Sequence, residues 1–171
     1  MPNLIFQLLV ATVLNAGATG FVTKTVVEIA APPSKVFQTV MDRVGDWWDP
    51  QHTYSGNAHN LSIEPKVSGC FCERFPGGGG VQHMTVVYLQ PNQQLRLAGG
   101  LGPLQELGVT GTMSWKFAAA NANTSLEVTY AVTGYQQQGF QQLAPAVDGV
   151  LSQQLDRLKR FIETGSPERK P

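Results

Sequence analysis

The spacing of hydrophobic and polar positions changes along the chain, and the changes mark out its elements. Residues 21–30 (FVTKTVVEIA) alternate, with Thr23, Thr25, Val27 and Ile29 on one face, which predicts a strand. Pro32, Pro33 and Ser34 then open a helix through Met41, where Val36, Phe37 and Val40 recur at helical spacing. Residues 44–50 (VGDWWDP) predict a helical turn stopped by Pro50, and the polar stretch 51–60 predicts a loop. Strands are expected at 61–64, 69–75, 81–90 and 94–98, separated by Pro65, by the Pro-Gly turn at 76–80 and by Pro91-Asn92. The glycine-bounded segment 99–108 (GGLGPLQELG) predicts one short helical turn. Alternation then returns. Val109, Gly111, Met113, Trp115 and Phe117 share one face, and after a turn at 121–123 so do Leu126, Val128, Tyr130 and Val132. Residues 139–164 form the longest expected helix, with an apolar stripe of Leu143, Val147, Val150, Leu151, Leu155, Leu158, Phe161 and Ile162. Gly165 and Pro167 end it.

A meander of antiparallel strands with one wet face must cover the other. The final helix is the only expected element long enough to do so. The predicted architecture is therefore α+β: a curved antiparallel sheet wrapped around a long C-terminal helix, with two short helices after the first strand. Such a sheet leaves a cavity between itself and the helix.

The first charged residue is Lys24, and the 4–14 stretch before it is nearly all apolar. It is too short to span a bilayer. It ends at Ala16-Gly17-Ala18, a small-x-small pattern suited to signal peptidase, although the leading residues carry no Lys or Arg. Residues 1–18 are read as a signal peptide, 19–165 as a single domain and 166–171 as a flexible charged tail; the other reading of the leader is a buried N-terminal strand or helix. The expected location is exported, periplasmic or secreted.

Composition narrows the function. Twelve basic and 12 acidic residues give zero net charge in 171 residues, and charged residues make up 14%, against about 25% in typical domains. A nucleic-acid binder would carry a basic excess or stripe, so none is expected as a partner. The last helix has few basic residues besides Arg157, Lys159 and Arg160, which gives stable membrane insertion or surface binding little support once the leader is removed. Phosphate-loop, nucleophile-elbow and zinc-helix motifs are absent, and no cofactor is expected.

Four segments in order carry a family resemblance. Residues 27–37 (VEIAAPPSKVF), Asp46-Trp47-Trp48, Gly69-Cys70-Phe71 and the 150–158 stretch of the final helix resemble the helix-grip SRPBCC superfamily, which includes START lipid-transfer and polyketide cyclase-like proteins. The resemblance covers residues 21–164. It implies a hydrophobic ligand cavity with an entrance near the tandem Trp, and neither a particular ligand nor a reaction.

Several residues could serve such a cavity. Glu73 shares a strand face with Phe71 and Phe75, and His83 lies on the next strand. If the turn sets Phe75 opposite Val81, Glu73 faces His83; one residue less, and Cys72 faces it. A Glu–His pair can be a structural partnership, a ligand-orienting anchor or an acid–base couple. Cys70 and Cys72 read as free thiols, because relaxed bridging at i, i+2 on a strand needs a bulge or turn. With His83, and Met84 as a thioether, they form an incomplete candidate for zinc or copper. Trp48, His52 and Tyr54 are candidates for the cavity mouth, with Trp47 beside them. Leu101, Leu104 and Leu107 are candidates for a second lip, and Trp115, Phe117 and Tyr130 for the walls.

The expected function is binding of a small hydrophobic or amphipathic molecule, contacted by Trp48, His52, Tyr54, Phe71, Glu73, His83, Leu104, Trp115 and Tyr130. Two alternatives stand beside it. One is a polyketide cyclase or dehydratase-like enzyme using Glu73 and His83 as its acid–base pair. The other is a thiol-based metal-binding protein using Cys70, Cys72 and His83.

Overall fold

The computed structural model describes residues 9–169. Among these residues eight antiparallel strands form one sheet: β1 (Val10–Ala16), β2 (Gly20–Ile29), β3 (Leu61–Ile63), β4 (Cys70–Arg74), β5 (Gly80–Gln90), β6 (Gln94–Ala98), β7 (Thr110–Ala120) and β8 (Asn123–Thr133). Their spatial order is β1-β2-β8-β7-β6-β5-β4-β3. Helices α1 (Pro33–Asp42) and α2 (Val44–Trp47) link β2 to the far edge of the sheet, and α3 (Leu143–Thr164) closes the chain. This is the helix-grip α+β arrangement.

Alternation sets the inner face. Phe21, Thr23, Thr25, Val27 and Ile29 of β2 are buried, as are Met113, Trp115 and Phe117 of β7 and Leu126, Val128, Tyr130 and Val132 of β8. Helix α3 lays Leu151, Leu155 and Leu158 against this face. The small hydroxyl residues of β2 allow close approach: Thr25 Oγ1 lies 3.4 Å from Ser152 Oγ. The helix begins at Leu143 rather than at 139, because Gly139 is left-handed (φ +70°) and the Phe140 N–H bonds the Gly17 carbonyl outside the helix. Its end matches the sequence expectation: Gly165 is left-handed (φ 82°) and donates back to the Phe161 carbonyl.

Residues 10–16, assigned to the leader from sequence, form an edge strand. β1 pairs with β2 from Val10↔Val26 to Ala16↔Phe21, and Val13 and Ala16 pack against the core. Residues 1–8 of the expected leader lie outside the described residues. The charged tail carries contacts of its own: the Pro167 carbonyl accepts from Arg160 Nε at 2.7 Å, and Glu168 pairs with Arg157 at 2.8 Å. Among the described residues no helix is long and apolar enough to cross a membrane.

The β4–β5 hairpin departs from both expected registers. Glu73 lies opposite Val81 and Cys72 opposite Gln82, while Phe71 lies opposite Met84. His83 is the extra residue of a bulge. A bulge resets the alternation, so His83 and Met84 are both buried, and Thr85 and Val87 do not follow His83 inward as strict alternation predicts. The free-thiol reading is corrected as well. Cys70 and Cys72 are joined in a disulfide, with Cα atoms 5.3 Å apart, inside the usual range for bridged cysteines.

Candidate functional site

A cavity of about 400 Å³ lies between α3, the 99–108 loop and the turn after α2. That volume falls within the range of small-molecule pockets, and the walls are mostly apolar. Trp48, Leu61 and Phe71 form one side, Leu101, Leu104 and Leu107 the lip, and Leu143, Val147, Val150 and Leu151 the helix side. His52, Tyr54 and His83 also line it. Of the residues expected to contact a ligand, Trp48, His52, Tyr54, Phe71, His83 and Leu104 stand at the cavity. Glu73, Trp115 and Tyr130 do not line it. Their strand faces are as expected; Glu73 and Tyr130 hold residues of the lining, and Trp115 packs beside Trp47 in the core.

Glu73 is that second layer at its most developed. It is 1% exposed, and its carboxylate accepts three hydrogen bonds: from the Ser55 N–H at 2.6 Å, the Tyr54 N–H at 3.1 Å and His83 Nε2 at 3.1 Å. The bonds to Tyr54 and Ser55 tie β4 to the turn that shapes the mouth. Burial pushes the Glu73 pKa up, but donation from Ser55, Tyr54 and His83 outweighs it, so the carboxyl titrates below its ordinary value. A carboxylate only accepts, so His83 Nε2 carries the proton. Burial lowers the His83 pKa despite the opposing pull of Glu73. The imidazole is therefore neutral at pH 7, and its Nδ1 is buried with no partner among the described residues. Tyr54 stacks on the ring (centroids 6.0 Å, planes 14° apart), and Phe71 tilts against it at 5.3 Å.

This arrangement sets a pH dependence. The folded state holds His83 neutral, so at acid pH the unfolded chain binds the proton more readily. Stability contributed by the neutral ring is present above the unfolded histidine value, near 6.5, and declines as pH falls below it. The lowered Glu73 pKa adds a second loss as pH falls through and below 4.5, its ordinary value. Urea midpoints measured from pH 7.5 down to pH 4 (about three and a half units, spanning both reference values) should fall, and His83→Phe should flatten the upper part of that decline. A midpoint unchanged between pH 7 and about 5.5 would contradict the assignment.

Tyr130 organises the opposite lip. Its hydroxyl donates to the Gly99 carbonyl at 2.9 Å and accepts the Leu101 N–H at 3.0 Å. Burial pushes its pKa up to about 12, so the phenol keeps its proton. Gly111 makes room for the ring: a Cβ there would lie 2.8 Å from Tyr130 Cε2. Gln105 adds a latch from the lip to the His83 carbonyl at 3.2 Å. Tyr130→Phe removes both hydroxyl bonds and should lower stability by about 1–2 kcal/mol, with faster amide exchange confined first to residues 99–105. Unchanged exchange there would show that the lip is held by other contacts.

The tandem Trp divides its work. Trp48 faces the cavity and donates from Nε1 to the His52 carbonyl at 3.0 Å, whereas Trp47 points into the core. Trp115 packs 6.5 Å from Trp47 and does not line the cavity. Sequence reasoning missed the clamp behind this turn. Buried Gln154 accepts the Asp49 N–H at 2.8 Å, Gln153 donates to the Asp49 carboxylate at 2.9 Å, and Arg157 Nε donates to the Trp47 carbonyl at 2.9 Å. Polar residues interrupting the apolar stripe of α3 were the available signal. The thiol-metal grouping does not assemble: the cysteine sulfurs are bonded to each other, and the half-exposed Cys70 and Cys72 alternate with the buried Phe71 and Glu73, the residues that meet His83. Among the described residues no three His, Cys, Asp or Glu converge as metal ligands.

Comparison with known proteins places the fold. No protein-family description matches the chain, and no protein of curated function does. Solved structures do resemble it. EF2215 from Enterococcus faecalis aligns with a TM-score of 0.64 at 18% identity, over 95% of this chain and 82% of its own. CalU16 from Micromonospora echinospora aligns with a TM-score of 0.57 at 15% identity, over 93% and 88%. DynU16, from the dynemicin biosynthetic locus, aligns with a TM-score of 0.55 at 19% identity, over 86% of this chain and 49% of its own. At these identities what the chain shares with them is the fold: a curved antiparallel sheet gripping a C-terminal helix.

Proposed function

We propose that the protein binds a small hydrophobic or amphipathic molecule between the sheet and α3. The observation that carries this reading is an apolar cavity whose wall presents one neutral, unpartnered imidazole, His83, held from behind by buried Glu73. Apolar walls supply the driving force through burial, and a few polar groups fix orientation. The likeness to CalU16 and to DynU16, from a biosynthetic locus, supports a binding or cyclase-like role in coarse terms. Nile red, a neutral apolar dye, is a suitable probe. Wild-type protein should bind it saturably, and Val147→Trp, which fills the cavity from α3, should weaken binding by about tenfold or more without changing the circular dichroism. Undiminished binding by the folded variant would move the site elsewhere.

A second reading follows from the same dyad. An unprotonated Nδ1 backed by a carboxylate on Nε2 is the arrangement of a general base, because the carboxylate stabilises the imidazolium that forms. A cyclase or dehydratase-like enzyme would lose turnover in His83→Gln and keep ligand affinity; a binder has no turnover to lose. Export belongs to the proposal as well, supported by the apolar 4–14 stretch and Ala16-Gly17-Ala18. Cleavage after Ala18 would remove β1, so the intact mass of protein recovered from a secreting host tests it: a mature chain beginning at Thr19 is expected, and a chain that keeps residues 1–18 overturns it.

A further inference from the structure

The polar groups at the cavity make different demands on a ligand. His83 is 4% exposed, and its ring borders the cavity. Nε2 is committed to Glu73, whose two oxygens are further fixed by the Tyr54 and Ser55 N–H groups. Those groups leave Glu73 only the role of acceptor, and Glu73 in turn leaves Nε2 only the role of donor. The ring's other nitrogen is then a bare lone pair, buried without a partner among the described residues. The other polar side chains of the lining, Gln51, His52, Thr53 and Tyr54, sit on the turn at the mouth, where all but Thr53 are exposed. Among the described residues the lining includes no Lys, Arg, Asp or Glu. Glu106, near enough to raise the Tyr54 pKa alongside burial and Glu73, adds negative charge on the mouth side.

We infer that the site selects neutral ligands that carry a hydroxyl on an apolar body, the hydroxyl donating to His83 Nδ1. This rests on the cavity-binding reading above and adds the polarity of the ligand's buried end. A ketone or ether end brings an acceptor to an acceptor, and leaves both lone pairs desolvated and unpaired. A carboxylate or phosphate end meets no cation in the lining and faces the Glu73 charge behind the imidazole. An unsubstituted hydrocarbon fills the volume and leaves Nδ1 unsatisfied. The selectivity is therefore set by Glu73, which touches no ligand: it is a positioning residue that fixes the tautomer of the ring that does.

Three probes of nearly equal shape test this on the full chain: naphthol, its methyl ether and naphthoate, measured by calorimetry at pH 7.5 (about one unit above the histidine reference value). Naphthol should bind about tenfold or more tighter than the ether, and naphthoate should bind weakest. Equal affinity for naphthol and ether, or naphthoate binding as tightly as naphthol, overturns the inference while leaving the cavity reading intact. If none of the three binds, the cavity reading fails with it. Nitrogen NMR of the imidazole gives a readout independent of any probe: the Nε2–H tautomer is expected in free protein, and a protonated Nδ1 overturns the inference. Glu73→Gln supplies the positioning test. Its amide can donate to Nε2 and shift the ring proton to Nδ1, so the preference should turn toward the ether. If that variant does not fold, His83→Phe keeps the aromatic wall and should erase the preference between naphthol and ether; a preference that survives there also overturns the inference.

Discussion

Replacing Glu73 with Ala is expected to lower the unfolding free energy by about 3 kcal/mol. The carboxylate is buried and, among the described residues, is the sole hydrogen-bond partner of the His83 ring, and it joins three separate pieces of chain. Removing it leaves the Tyr54 and Ser55 N–H groups and His83 Nε2 without their acceptor, in a place water reaches poorly. An unmet buried donor costs about 1–3 kcal/mol, and partial entry of water into the vacated space keeps the total from being a simple sum. The effect is local in origin, so the 53–55 turn should lose amide protection before the sheet does. Glu73→Gln keeps the volume and one acceptor oxygen and should cost about half as much. Urea denaturation measures both. A loss below about 1 kcal/mol for Glu73→Ala would mean that the turn is held by other contacts, and that His83 does not depend on Glu73 for its orientation.

The second large effect is expected at Trp47. Trp47→Ala should destabilise the protein by about 4 kcal/mol, within the range for emptying a buried large aromatic site. The side chain is 1% exposed and packs against Trp48 (5.5 Å between centroids) and Trp115 (6.5 Å), with Nε1 donating to the Thr39 carbonyl at 3.3 Å. Its backbone carbonyl also receives Arg157, so the residue lies where α1, α2, β7 and α3 meet. Binding should fall along with stability, because Trp48, which lines the cavity, leans on the ring that is lost. Trp47→Phe, which keeps an aromatic ring but no indole N–H, should cost roughly 1–3 kcal/mol. A Trp47→Ala protein as stable as wild type would require the aromatic cluster to collapse fully into the vacancy.

The two residues differ in how legible they were. Trp47 sits in a helical turn recognisable from Pro50 and from the run of aromatics, and its burial follows from local pattern. Glu73 and His83 could be nominated from strand faces. Whether they met depended on a register that one residue of slippage reverses. The outcome was neither register considered: a bulge at His83 brings the pair together diagonally, with Glu73 opposite Val81. Bulges have weak sequence signals because they depend on which long-range hydrogen bonds win. The disulfide is illegible for a related reason: its feasibility turns on a backbone contracted enough to bring the two Cα atoms to 5.3 Å. Trp115 and Tyr130 show a related gap: alternation gives the face on which a side chain lies but not its depth along the strand, and depth decides between core and cavity wall.

The sequence by itself determined the order of elements, the inward set of β2, β7 and β8, the C-terminal helix with its glycine stop, and the neutral, weakly charged character of the domain. These follow from periods of two and 3.6 residues and from the local chemistry of Pro and Gly, which act over a few positions of chain. Only the tertiary structure decided that residues 10–16 add an edge strand, that Gln153, Gln154 and Arg157 clamp the tandem-Trp turn, and that Glu73 fixes the proton on His83 and leaves Nδ1 open. Each of these is a contact between segments far apart in the chain. Its existence depends on the burial and hydrogen bonding of both partners at once, which no local pattern encodes.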